Sequence, residues 1–93
     1  MKIVINRDHG GFSLSAQAAR RYADITGTKF DPYGCRSVAR DDPALIQIVE
    51  EMGEAADGAY ASLGIVEIPD GVQWQIEEYD GMEWVAEKHR TWR

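Results

Sequence analysis

The spacing of apolar and polar positions changes several times along this chain, and each change marks the edge of an element. Residues 2–6 (Lys-Ile-Val-Ile-Asn) are a β-branched apolar run, which predicts a buried strand. A polar stretch follows, Arg7-Asp8-His9-Gly10-Gly11. Leu14, Ala18, Tyr22 and Ile25 then recur at helical spacing, with Ser13 or Ser15 as the N-cap and Gly27 where a C-cap belongs. Residues 28–31 have the make-up of a short second strand closed by Pro32-Tyr33-Gly34, and residues 35–41 have no period and read as a loop.

Asp42-Pro43 is a strong helix start, because the aspartate caps free amides and proline at the first helical position loses no hydrogen bond. Leu45, Ile48, Val49, Met52, Ala55 and Ala56 share one face of that helix, Glu50, Glu51 and Glu54 face water, and Gly58 ends it. Residues 60–68 are rich in β-formers up to the turn Pro69-Asp70-Gly71. Val72, Trp74 and Ile76 then alternate with Gln73, Gln75 and Glu77, as in a half-exposed strand. Asp80-Gly81 predicts a two-residue hairpin turn, with the return strand running through residues 82–90. Met82, Val85, Ala86 and His89 also fit helical spacing, but strand is preferred.

The resulting order is an α/β fold: a β-α-β-α-β unit with parallel crossovers, then an antiparallel C-terminal β-hairpin, forming a mixed sheet with helices packed on it. The 93 residues suffice for a single domain, 1–93, whose modest core leaves little room for a deep site. A chain that is 44% hydrophobic and 28% charged belongs to the folded class. Its net charge of −6 argues against general nucleic-acid binding. The single cysteine, Cys35, gives no intrachain disulfide, and no signal peptide or membrane-length apolar run is present, so a cytoplasmic protein is expected.

The loop after the first strand carries the candidate chemistry. In crossover units such a loop lies at the carboxyl edge of the sheet, and a following helix N-terminus favours an anion. Gly10 and Gly11 let backbone approach a ligand, Asp8 can accept hydrogen bonds from sugar hydroxyls, and His9 can donate one. Phe12 and Ser13 complete the candidate ligand loop, with Arg36 and Arg40 as sources of positive charge. A glycine-rich turn whose aspartate caps locally is the simpler reading of the same residues.

The stretch from Met1 through Asp8-His9-Gly10-Gly11-Phe12 to Leu14 resembles the opening of the type B ribose-5-phosphate isomerases, also called the galactose-6-phosphate isomerase family. Similarity continues at Lys29-Phe30-Asp31-Pro32-Tyr33-Gly34 and at Arg40-Asp41-Asp42-Pro43, and so covers residues 1–58. The resemblance implies that Asp8 and His9 contact a sugar phosphate. The family's catalytic cysteine lies in a Cys-Gly-Thr-Gly loop, whereas this chain reads Leu63-Gly64-Ile65-Val66-Glu67 there, and Cys35 lies elsewhere in the order. No catalytic residue is assigned, and no cofactor or metal. A second resemblance, carried by the N-terminal Gly-Gly-Phe-Ser-Leu-Ser and by Ile76 through Trp92, is to a family of small tailed-bacteriophage proteins without an assigned activity.

In the hairpin, Glu78 opposite Glu83 is unfavourable unless a cation or basic group lies between them. Trp74, Trp84 and Trp92, with Tyr79, Arg90 and Arg93, have the composition of an interface, and one tryptophan is expected at a homo-oligomer contact. The leading expectation is a non-catalytic, phage-type accessory protein, homo-oligomeric and in the cytoplasm of a bacterial host. It would sequester a ribose- or phosphate-bearing small molecule such as a nucleotide signal, an anti-defence role. The alternative is an inhibitor of a host defence enzyme acting through the acidic, Trp-rich hairpin at Trp74, Tyr79, Trp84, Arg90 and Trp92. A third is a sugar-phosphate isomerase relative.

Overall fold

A computed structural model of the chain describes residues 1–30 and 38–88. The elements are β1 (Lys2–Asn6), α1 (Ala16–Thr26), α2 (Pro43–Met52), a 3-10 turn (Gly53–Ala56), β2 (Leu63–Glu67), β3 (Trp74–Tyr79) and β4 (Met82–Glu87). This is a small α/β fold with two helices and a C-terminal antiparallel hairpin, as the hydrophobic pattern indicates. Cys35, Arg36, Arg90 and Trp92 lie outside the described residues. No helix among the described residues is long and apolar enough to cross a membrane.

Local chemistry accounts for the element ends. Ser15 is the cap of α1, its hydroxyl accepting from Ala18 N–H, and Gly27 closes that helix in the left-handed region at φ 69°. Asp42 caps α2 through Ala44 N–H, with Pro43 at its first position. The helix stops at Met52 rather than at Gly58, because Gly53 turns to φ 56° and starts the tighter turn. Asp80 at φ 51° and Gly81 at φ 90° make the hairpin turn in which both central residues have positive φ. The predicted pairs Tyr79–Met82, Glu78–Glu83, Ile76–Val85 and Trp74–Glu87 are all present, and residues 82–87 are strand rather than helix.

Strand pairing corrects the expected parallel crossover. β1 pairs with β2 antiparallel, from Lys2 opposite Glu67 to Asn6 opposite Leu63, and β3 with β4 forms a separate two-stranded sheet instead of joining a mixed one. Residues 28–30 are not strand, and residue 31 lies outside the described residues. The reason is visible on β1 itself. Its second edge, which a parallel neighbour would need, is already occupied: Val4 N–H donates to the Arg40 carbonyl (2.8 Å), and Asn6 N–H donates to Glu83 Oε1 (2.8 Å).

β1 is buried from Ile3 to Asn6 and lies at the centre of the molecule. Val4 packs with Leu45 and Val49 of α2, joined by Phe12, Leu14 and Ile65. Ala18, Ile48 and Ala56 form the seam between the helices and the 3-10 turn. The hairpin meets this body mainly where β4 lies against β1.

Candidate functional site

Two features that are far apart in sequence, the glycine loop and the hairpin turn, meet at the end of β1. Asn6 joins them. Its Nδ2 donates to the carbonyls of Asp8 (2.7 Å) and Gly81 (2.8 Å), and its Oδ1 accepts from the amides of Ser62 (2.9 Å) and Asp8 (3.2 Å). All four hydrogen-bonding positions of this fully buried amide are thereby filled. Glycine makes the contact tight. A Cβ at Gly81 would lie 2.2 Å from the His9 carbonyl oxygen and 2.7 Å from Gly11 N, and one at Gly10 would lie 2.1 Å from the Tyr60 carbonyl oxygen.

A buried ion pair fixes the hairpin from the other side. Glu83, only 6% exposed, receives both terminal nitrogens of Arg40, Nη1 on Oε1 and Nη2 on Oε2 (2.8 Å), and accepts Asn6 N–H besides. The Arg40 guanidinium also stacks 3.7 Å from the Phe12 ring centroid. Arg40 neutralises Glu83, while Glu78 across the ladder is exposed. The charge of Arg40 is therefore matched within the fold.

The candidate ligand residues divide accordingly. Asp8, His9, Gly10 and Gly11 lie on the accessible loop, and Gly11, at φ 88°, faces open space. Asp8 Oδ1 accepts the His9 amide (2.7 Å), the local capping expected of such a turn. His9 Nδ1 lies 3.9 Å from Asp80 Oδ2 on the hairpin turn, both side chains well exposed. Phe12 lies under Arg40, and Ser13 is packed against Gly58, whose amide donates to the Ser13 carbonyl (3.0 Å).

The helix N-terminus is not at the glycine loop. Leu14 bridges to Asp57, and Ser15 donates to the carbonyls of Ala55 through its hydroxyl (2.7 Å) and of Ala56 through its amide (2.9 Å). The capping serine is thus Ser15, and the partial positive charge of α1 lies deeper along the chain than the loop that was to use it.

Sequence reasoning passed over Arg7. Its guanidinium lies over Gly64 of β2, where an added Cβ would be 2.7 Å from Cζ, and it has no carboxylate partner among the described residues. Its position next to Asp8 was the available signal. Of the hairpin residues, Tyr79 (74% exposed) and Trp84 (44%) lie with Met82 on the outer face, while Trp74 is half-buried on the other. Tyr60, against Gly10, is 76% exposed.

No protein-family model, curated protein or solved structure matches this chain. Its chemistry is therefore read from the junction itself, with accessible carboxylates, an imidazole and exposed tyrosines on the loop and hairpin turn, and from the Arg7 guanidinium over Gly64 of β2, which has no carboxylate partner among the described residues. Carboxylates accept hydroxyl hydrogens, aromatic faces stack on planar rings, and the guanidinium meets an anion. A shallow concavity lined by Lys2, Pro43, Ile46, Gln47, Glu50 and Glu51 includes none of these groups.

Proposed function

We propose that the protein captures, without turning over, a ribose-bearing small molecule such as a nucleotide signal at the junction of the glycine loop and the hairpin turn. The observation that carries this reading is the approach of His9 to Asp80 where the hairpin turn meets the loop at Gly11, whose outward side is open. Asp8 and Asp80 accept ribose hydroxyls, Tyr60 or Tyr79 offers a stacking face, and Arg7 takes the phosphate in place of Arg40, whose charge is already paired. In the setting implied by the phage resemblance, holding a signal in the bacterial cytoplasm without consuming it would blunt a host defence. Thermal denaturation with ADP-ribose, a cyclic nucleotide and ribose 5-phosphate tests this. At a hundredfold excess over Kd, ligand binding adds about 2.7 kcal/mol, which corresponds to a Tm rise of roughly 10 °C or more for a domain of this size. Asp8→Ala and Arg7→Ala should remove the shift. If no probe raises Tm, or Asp8→Ala leaves the rise intact, the proposal fails.

A second reading rests on a different observation: Tyr79, Met82 and Trp84 are exposed together on the outer face of the hairpin, beside Glu77 and Asp80. Such a face fits a protein partner with an apolar patch in a basic rim. Trp84→Ala should weaken capture of that partner by the immobilised chain about 30-fold, the effect of losing a central aromatic worth about 2 kcal/mol. A retained partner indifferent to Trp84 would place the contact elsewhere.

A further inference from the structure

The outer edge of β2 presents backbone groups that the fold leaves without partners among the described residues. In the β1–β2 ladder, Met1 and Ile68 exchange both main-chain bonds, and Arg7 N–H donates to the Ser62 carbonyl. The antiparallel alternation therefore turns Ile3, Ile5, Val66 and Gly64 toward each other, and Leu63, Ile65 and Glu67 outward. On β1 the corresponding outward amides are used, by the Arg40 carbonyl and by Glu83. On β2 only Leu63 N–H is, by Asp57 Oδ1 at 3.0 Å. The amides of Ile65 and Glu67 and the carbonyls of Leu63, Ile65 and Glu67 have no partner among the described residues.

We infer that this edge joins two copies of the chain, β2 pairing with β2 antiparallel about a twofold axis at Ile65. The pattern of free groups is self-complementary. Ile65 faces the second copy's Ile65 and the two exchange both bonds, while each Glu67 amide reaches the other copy's Leu63 carbonyl. Every free amide on the edge is then used, and at each end the Asp57 side chain swings aside to yield the Leu63 amide to the second copy's Glu67 carbonyl. Side chains agree: Val66 meets Gly64 of the second copy, and Glu67 of each copy lies at opposite ends of the seam, opposite Leu63. The strand carries neither lysine nor proline, the usual devices that keep an edge from pairing. β3 offers a poorer edge, since self-pairing there would bring Glu77 and Glu78 of both copies into one seam of an already acidic molecule. The product is one four-stranded sheet, with residues 8–11 of each copy outside the seam and Arg7, which lies over Gly64, beside the second copy's Val66.

Hydrogen exchange of the unmodified chain, combined with sedimentation between roughly 1 µM and 1 mM, tests the inference. The chain should sediment as a dimer at the upper concentrations, and there the amides of Ile65 and Glu67 should exchange roughly tenfold or more slowly than in the dilute sample. Glu67→Pro removes one outward amide without touching the β1 ladder, and should give a monomer with the wild-type melting profile at low concentration. A monomer throughout the range, or a dimer in which both amides exchange freely, overturns the assignment.

Discussion

Replacing Glu83 by alanine should destabilise the protein by about 3–5 kcal/mol, a large share of the roughly 5–15 kcal/mol that holds a small domain folded. The substitution leaves the Arg40 guanidinium with its side chain 17% exposed and no counter-charge, and leaves the Asn6 amide at the end of β1 without an acceptor. Glu83→Gln should cost less, since its amide oxygen can still take the Asn6 hydrogen. Replacing both partners, Arg40→Leu with Glu83→Leu, should recover much of the loss, because the penalty lies in the stranded charge and not in the missing attraction. Urea denaturation of the three variants beside the wild type measures these losses. A loss below about 1 kcal/mol for Glu83→Ala would mean that the pair is effectively solvated, as exposed pairs are.

Gly81→Ala should be the second most damaging change, and Gly71→Ala is its control. Both glycines have positive φ, 90° and 82°, so each substitution carries backbone strain of about 1–3 kcal/mol. At Gly71 nothing lies within 4 Å of the new methyl group, and the cost ends there. At Gly81 the methyl would collide with the His9 carbonyl and the Gly11 amide, main-chain atoms that cannot swing away, so overpacking adds about 1–3 kcal/mol. Moving the turn away from the loop also separates Asp80 from His9. Gly81→Ala should therefore lose ligand-induced stabilisation as well as stability, while Gly71→Ala keeps the former. Equal melting temperatures for the two variants would show that the turn and the loop are not in contact in solution.

What could be read from the sequence was what neighbours in the chain decide. The capped start of α2 at Asp42-Pro43, the closure of α1 at Gly27 and the hairpin register around Asp80-Gly81 each follow from a few adjacent residues, and each is found. The antiparallel partnership of β1 and β2 was not readable. Residues 28–31 look enough like a strand to complete a crossover, and nothing nearby reveals that Arg40 and Glu83 already fill the edge of β1. The Arg40–Glu83 pair spans 43 positions. Two carboxylates facing each other across the hairpin hinted that a base was needed there, but many arginines could have answered. The same limit applies to the site: Asp8, His9 and the glycines were visible as a loop, and the hairpin as an interface, yet only folding brings His9 beside Asp80.

The ring of contacts among Asn6, Arg40, Gly81 and Glu83 has a practical consequence for dissecting the protein. A hairpin built from consecutive strands invites excision, and a chain stopped at residue 72 would retain β1, both helices and β2. It would also retain Arg40 stripped of the carboxylate that pairs with it, and Asn6 with one main-chain and one side-chain hydrogen left over. Such a fragment would be expected to collapse or precipitate instead of reporting what the hairpin does, so its role is better probed by point changes on its outer face than by truncation.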